Sequence, residues 1–310
     1  MDFSSLSPVA MMVLLIGAAT PILLAAIGEL VVEKSGVLNL GVEGMMIIGA
    51  VCGFIVAVNT DSPMLGLIGA AVGGAVVSML FGFLTQYLLS NQVATGLALT
   101  LFGLGMAALM GRSYNGIRPP RMPRLEVEGL TDLPVVGKLF FSHDPVIYGS
   151  LVLVFAVWYF LNRTRARLVL RACGENHEAA HSLGYNVQLI RFGAIMFGGA
   201  CAGLGGAYVS LVRVPQWTEG MTAGVGWIAL AIVVFAAWKP WRVILGAYMF
   251  GGITILQLSL QALGINISGA LLSMTPYIVT IVVLVIMSAD RKKASINAPA
   301  CLGKSFHASH

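Results

Sequence analysis

Gly28–Ala50 reads G-E-L-V-V-E-K-S-G-V-L-N-L-G-V-E-G-M-M-I-I-G-A, and what this stretch is decides the fold. It sets Glu29, Glu33, Lys34, Asn39 and Glu43 between two strongly apolar runs, together with Gly28, Gly36, Gly41, Gly44 and Gly49. Charges this close to membrane-grade apolar sequence are costly unless they sit at an interface, face a wet cavity or pair with one another. Glycines at this density suit tight turns and close helix approach. An isolated surface loop needs neither feature. The stretch therefore reads as a broken, partly re-entrant segment over 28–44 that dips into a polyhelical membrane protein.

The rest of the composition agrees. The chain has 310 residues, 58% hydrophobic and 10% charged, with mean hydropathy +0.89. Soluble domains carry about 25% charged residues, so this chain lacks the polar material to cover a water-facing surface. Its apolar runs are long and continuous, unlike the short alternating segments of outer-membrane barrels. An all-α polytopic membrane protein follows. The net charge of +5 then concerns topology and lipid, not nucleic acid, because the basic residues sit in short loops. Cys52, Cys173, Cys201 and Cys301 show no C-x-x-C spacing and imply neither a disulfide framework nor a zinc knuckle. The opening M-D-F-S-S-L-S-P has no basic region, so the first apolar run is expected to be a permanent helix and not a cleaved signal.

About twenty apolar residues span a bilayer core. On that ruler crossings are expected at Pro8–Ile27, Met45–Val58, Met64–Leu89, Val93–Met110, Val146–Leu161, Ile190–Val212, Val225–Trp238, Val243–Leu263 and Leu271–Met287. The total is about nine, within a range of eight to ten, because the polar breaks at 28–44 and 90–92 could each hide a hairpin. Residues 1–290 form one transmembrane domain. Within it, 112–145 is a long hydrophilic loop carrying Arg112, Arg118, Arg121, Arg124, Glu126, Glu128, Asp132, Lys138 and Asp144; 162–188 is a basic loop. Residues 291–310 form a basic tail. With the N-terminus outside and the C-terminus inside, twelve of the eighteen Lys and Arg face the cytoplasm, against six the other way. Basic residues prefer that side, which makes 112–145 extracytoplasmic and 162–188 cytoplasmic.

Several motifs compete for function. In the 162–188 loop, His177-Glu178-Ala179-Ala180-His181 matches H-E-x-x-H, two histidines on one helical face with a glutamate as base. A membrane metalloprotease is thus an open class, although no third ligand is evident: His143 falls on the other side of the membrane, and His307 and His310 lie in a tail that reads as disordered. Gly303-Lys304-Ser305 ends like a P-loop, but the first glycine it needs is Ala298, so no nucleotide is expected there. The polar groups in the apolar runs are Asn91, Gln92, Thr95, Thr100, Gln257, Gln261, Asn266, Thr275 and Thr280, with Trp227 and Tyr277. Buried amides are costly unless they bond across helices or line a wet path. No unpaired charge lies deep in the later helices, so a neutral, hydrogen-bonding solute fits better than an ion. Asn91, Gln92, Thr95, Trp227 and Gln257 are the candidates for the solute path; Glu29, Glu33, Asn39 and Glu43 are candidate gating and interface groups, with Lys34 as a partner.

The 28–50 stretch resembles the signature of permease subunits of bacterial ABC importers of the branched-chain amino acid, ribose and nucleoside group. It is most similar to the nucleoside-type (simple-sugar-type) permease that works with a basic-membrane-protein-like binding lipoprotein. The likeness extends over Asn91–Leu97, over R-A-C-G-E-N-H-E-A-A-H-S-L-G within 162–188, over Gly198–Leu211 and over Gly224–Pro240. The resemblance implies an inner-membrane transport subunit that is not itself an enzyme and holds no cofactor, with ATP and magnesium in a separate cytoplasmic ATPase. It implies a second permease, a copy or a paralogue, and an extracytoplasmic binding protein that delivers nucleosides. The 162–188 loop would couple to the ATPase through Arg171, Gly174, Glu175, Asn176, Ala179, Ala180 and Gly184, while His177 stands where a proline is usual. A stand-alone secondary transporter is the other competing class.

Overall fold

The computed structural model describes residues 8–125, 141–262 and 298–307, with isolated positions between them. The expected crossing at 271–287 lies almost wholly outside the described residues. So do Glu126, Glu128, Asp132, Lys138, Asn266, Tyr277, Thr280, His310 and the basic cluster Arg291-Lys292-Lys293.

Among the described residues there are ten α-helices and no strand: α1 (Pro8–Lys34), α2 (Val42–Thr60), α3 (Pro63–Gly82), α4 (Gln92–Gly111), α5 (Pro145–Arg163), α6 (Ala166–Glu175), α7 (His177–Ser182), α8 (Val187–Tyr208), α9 (Val225–Phe235) and α10 (Pro240–Ala262). One π-helical turn extends α3 over Phe83–Tyr87 and another extends α8 over Val209–Arg213. Seven helices are long and apolar enough to cross a membrane, namely α1 to α5, α8 and α10; α9 is shorter. Hydroxyls inside these helices turn back onto their own backbone, as Thr20 does to the Ile16 carbonyl (2.9 Å) and Thr85 to that of Phe81 (2.8 Å). That hides a polar group where water cannot reach it.

The chain does not leave the helix at Gly28. Helix α1 continues through Glu29 and Glu33 to Lys34, because Gly28 provides a close contact, not a turn: a Cβ there would sit 2.5 Å from Cys201 Cβ on α8. The non-helical piece is confined to residues 35–41. It starts with a Schellman stop, in which Gly36 (φ +90°) donates to the Glu33 carbonyl (2.9 Å) and Val37 to that of Val32 (3.4 Å).

Helix α8 runs through the centre, against α1, α2 and α3. Its glycines let backbones touch. A Cβ on Gly206 would meet the Met46 carbonyl oxygen, and one on Gly203 that of Ala70. The outward faces of α3, α4 and α5 carry Ile68, Val72, Val76, Leu101, Leu109, Val152 and Phe155, all exposed apolar side chains suited to hydrocarbon or to a second membrane subunit. The helix ends define two faces. Lys34, Arg163, Arg171, Lys239, Arg242 and Lys304 gather at one, the basic face; Asp61, Arg112, Arg124, Asp144 and Arg213 belong to the other.

These contacts fix the expected effect of added bulk. Gly206→Val overpacks the α2–α8 seam and should lower stability by about 1–3 kcal/mol or prevent assembly. Gly105→Ala, at a site with nothing within 4 Å, should be neutral or slightly stabilising. Thermal unfolding in detergent distinguishes the two.

Candidate functional site

Two interruptions meet inside the bundle. Helix α2 begins with its first turn against Leu99 and Thr100 of α4, where a Cβ on Gly44 would be 2.6 Å from the Leu99 carbonyl oxygen. Those residues lie about 10 Å along α4 from its start at the basic face. The segment 35–41 therefore descends into the bundle before α2 starts. The second interruption is 214–224, between the π turn of α8 and α9. Helix α9 has 11 residues, about 16 Å, or half of a bilayer core of about 30 Å. It starts in mid-bundle beside α2 and ends at the basic face beside Glu33.

Glu43 joins the two starts. It lies in the first turn of α2, and its carboxylate accepts from Thr222 Oγ1 (2.6 Å) and from the Gly226 backbone N–H (2.7 Å) in the first turn of α9. Both helices thus present their positive ends to one carboxylate. The approach needs a glycine, since a Cβ on Gly226 would be 2.7 Å from Glu43 Cα.

The other two carboxylates lie one helical turn apart on α1. Glu33 Oε2 accepts from Trp238 Nε1 at 2.5 Å. Ala237 and Trp238 both have positive φ (48° and 54°), and this left-handed turn after α9 aims the indole at Glu33. Lys34 Nζ lies 5.9 Å from the Trp238 ring. Glu29 Oε2 accepts from Asn39 Nδ2 (3.3 Å), and Asn39 Oδ1 accepts from the Gly41 N–H (3.0 Å), so one amide ties the descending segment to α1. Glu29, Glu33 and Glu43 are at most 2% exposed, and Asn39 is buried with them.

Of the expected path residues, Gln92 belongs to this assembly: its Oε1 accepts from the Leu38 N–H (2.8 Å). Asn91 caps α4 through the Ala94 N–H (3.0 Å), and Thr95 pairs with Ser90 (2.8 Å), both at the basic-face end of α4. Trp227 points outward from α9. Gln257 lies on α10 between Ile255 and Leu258, which line a cavity of about 630 Å³ at the opposite face with Arg124, His143, Asp144, Tyr208 and Arg213. There Asp144 caps α5 through the Val146 and Ile147 N–H groups (3.0 and 3.2 Å) and accepts from Tyr208 Oη (3.1 Å).

The basic loop folds onto the same assembly from below. A Cβ on Gly174, near the end of α6, would strike the Lys34 carbonyl oxygen, so α6 rests on the end of α1. Arg171 pairs with Glu175 on the outer side (3.5 Å). Asn176 caps α7 through the Ala179 N–H (3.0 Å), and Gly184 (φ +86°) stops it in a second Schellman turn. His177 is the first residue of α7, the position proline favours. Ala180 is buried against Val187 and Phe306, whereas Ala179, Leu183 and Tyr185 are exposed.

Sequence reasoning passed over Arg191, which holds this face together. Fully buried, it donates to the carbonyls of Ser35 (3.0 Å), Lys304 (3.0 Å) and Cys173 (3.4 Å) and meets His177 Nδ1 at 3.3 Å. Ser35 and Cys173 lie at the C-terminal ends of α1 and α6, whose negative dipole ends offset its charge. The segment 298–307, read from sequence as part of a disordered tail, packs here. Cys301 donates to the Gly174 carbonyl (2.8 Å), Gly303 to that of Gly36 (3.1 Å), and the Phe306 ring lies 5.3 Å from both His177 and His181. Both histidines of H-E-x-x-H thus pack on a phenylalanine, and His177 also faces a guanidinium. Among the described residues no three His, Cys, Asp or Glu side chains are grouped to hold a metal.

Over residues 11–288 the chain matches the family described as branched-chain amino acid transport system / permease component. It is 39% identical to the candidate glucose ABC transporter permease protein TsgC13 of Haloferax volcanii, across 94% of this chain and 95% of that one. It is 33% identical to the guanosine ABC transporter permease protein NupQ of Bacillus subtilis (92% and 94% covered). Identity is also 33% to the nucleoside ABC transporter permease protein NupC of Lactococcus lactis (86% and 88%). No solved structure matches significantly. The chain belongs to this permease family, as a multi-pass membrane protein and a transport component, not an enzyme.

Two consequences can be measured. Glu43→Leu leaves the Gly226 N–H and Thr222 hydroxyl without their acceptor and should cost about 2 kcal/mol or more, seen as a lower unfolding midpoint; Trp238→Phe, which removes one donor from Glu33, should cost about 1 kcal/mol. His177 is held below its ordinary 6.5 first by burial and then by Arg191, against a smaller opposing pull from Glu178. The neutral ring favours the folded contact, so its stabilisation is complete above that value and lost as pH falls through and below it. Protease trimming of 298–307 should accelerate from pH 7.5 to about 5.5, and His177→Gln should remove that acceleration.

Proposed function

We propose that this chain is the permease subunit of an ATP-driven importer of nucleosides in the cytoplasmic (inner) membrane, with the basic face in the cytoplasm. The observation that carries the solute class is the occupancy of the two facing helix starts, of α2 and α9, by Glu43. Broken helices in transporters aim their positive N-termini at anionic solute groups. Here the protein supplies that anion itself, and Thr222 and Gly226 already satisfy it. A site so neutralised suits an uncharged, hydroxyl-bearing solute. Relatives named for guanosine and nucleosides support the nucleoside reading; the relative named for glucose favours a sugar as the second reading.

In this reading work is supplied by a separate ATPase that holds ATP and magnesium. The exposed side of α7, with Ala179, Leu183 and Tyr185, is the surface proposed to dock it. Arg171, Glu175, Asn176 and Gly184 shape that surface, while Gly174 and Ala180 transmit its position to α1 and α8. Movement of α6 is felt at Lys34, and through the adjoining Glu33–Trp238 pair at α9. A solute shifts such a bundle only by binding its two states unequally. A second permease, a copy or a paralogue, covers the apolar outer faces, and a binding protein delivers solute to the cavity at the opposite face.

Uptake of labelled guanosine and labelled glucose, with and without this chain, tests the reading. Guanosine uptake should disappear without it, and glucose uptake should not; the reverse result selects the sugar. Ala179→Glu should leave the chain folded yet cut ATP-dependent uptake by about tenfold or more, since an unpaired charge enters a docked surface. Ala180→Glu should instead reduce the amount of folded protein.

A further inference from the structure

At the basic face a pocket of about 370 Å³ opens between the ends of α1, α5 and α9 and the starts of α6 and α10. Four cations line it, Lys34, Arg167, Arg171 and Lys239, and among the described residues no carboxylate does; the adjoining acids are Glu175, paired with Arg171, and Glu33, which accepts from the Trp238 indole. Trp158, Trp238 and Trp241 line it too, three of the five tryptophans in the chain. Arg167 is held by the Leu161 and Asn162 carbonyls at the end of α5 (3.3 and 2.6 Å). Arg242 stacks on Trp241 at 5.3 Å.

A second cavity of about 570 Å³ shares Leu170 with this pocket and extends a helical turn deeper, along Val31, Val157, Phe160, Ala194 and Phe197. Its lining is apolar throughout. A basic mouth, tryptophans at the level where helices leave the apolar layer, and an adjoining apolar slot are complementary to one amphiphile. Clustered cations between helices recognise anionic headgroups, guanidinium and ammonium groups bind phosphate, and indoles settle at the headgroup level.

We propose that this pocket binds the phosphate headgroup of an anionic phospholipid, with an acyl chain against the apolar slot. The lipid then bridges α1, α5, α6 and α10 at the point where the basic loop meets the bundle. The site is separate from the solute path and does not depend on which solute is carried.

Native mass spectrometry of the full-length chain, equilibrated in micelles with equal phosphatidylglycerol and phosphatidylcholine, reads the site directly. Wild type should retain phosphatidylglycerol in preference. Arg167→Gln with Lys239→Gln should reduce that preference by about tenfold or more, and Lys239→Gln alone, at an exposed position, should do so in part with an unchanged unfolding midpoint. Arg163→Gln, outside the pocket, should leave it intact. Equal retention of both lipids by wild type, or an undiminished preference in the double variant, overturns the proposal. Displacement of the lipid by inorganic phosphate or glycerol 3-phosphate would identify a soluble-phosphate site and overturns it as well.

Discussion

A helix broken inside an apolar interior exposes N–H and C=O groups that water cannot reach, and every one must find a partner in the protein. This structure breaks its helices at 35–41 and at 214–224, and the rest of the architecture follows from satisfying them. Glu43 takes the donors at the start of α9, Gln92 and Asn39 take those of the descending segment, and Thr100 donates to the Leu40 carbonyl (3.2 Å). Arg191 takes the Ser35 carbonyl left at the end of α1. Glu43, Gln92, Asn39, Thr100 and Arg191, which look extravagant in so apolar a chain, each meet a backbone group opened by a break.

That distribution explains what could be read from residue order alone. The all-helical membrane class, the seven long apolar helices and the burden of accommodating Glu29, Glu33, Asn39 and Glu43 all rest on local signals: apolar runs, charge and glycine. The expected crossing at Val225–Trp238 is instead the 11-residue α9, too short to cross, because the chain at 214–224 is not helical and the apolar run alone did not show it. The partners Thr222, Gly226 and Trp238 stand about 180–205 positions further on, and nothing local marks them. Gly28 misled because a helical glycine that admits a neighbouring helix and a glycine that ends a helix look alike; only the contact with Cys201 separates them. Arg191 read as one more inward-facing positive charge, since burial does not show in a string of letters. Asn91 and Thr95 stood out as amides and hydroxyls in an apolar run, yet they serve a helix start, and the Ser-Asn pair before an apolar run was the available clue.

The basic loop and the interrupted helices form one mechanical piece. Gly174 touches the end of α1, the segment after α1 holds Asn39, and Asn39 holds Glu29; on the other side Lys34 and Glu33 border Trp238 at the end of α9. From α6 to the segment before α2 and to the end of α9 these contacts run through packed atoms.

The guanidinium of Arg191 also joins chain segments made at very different times. Its ligands include Ser35, close to the beginning, and Lys304, far downstream. During synthesis the carbonyl end of α1 therefore waits for Arg191, and Arg191 for Lys304, before this set of contacts is complete. A defect around Lys304 would accordingly be felt at the end of α1, far away in residue order but one side chain away in space.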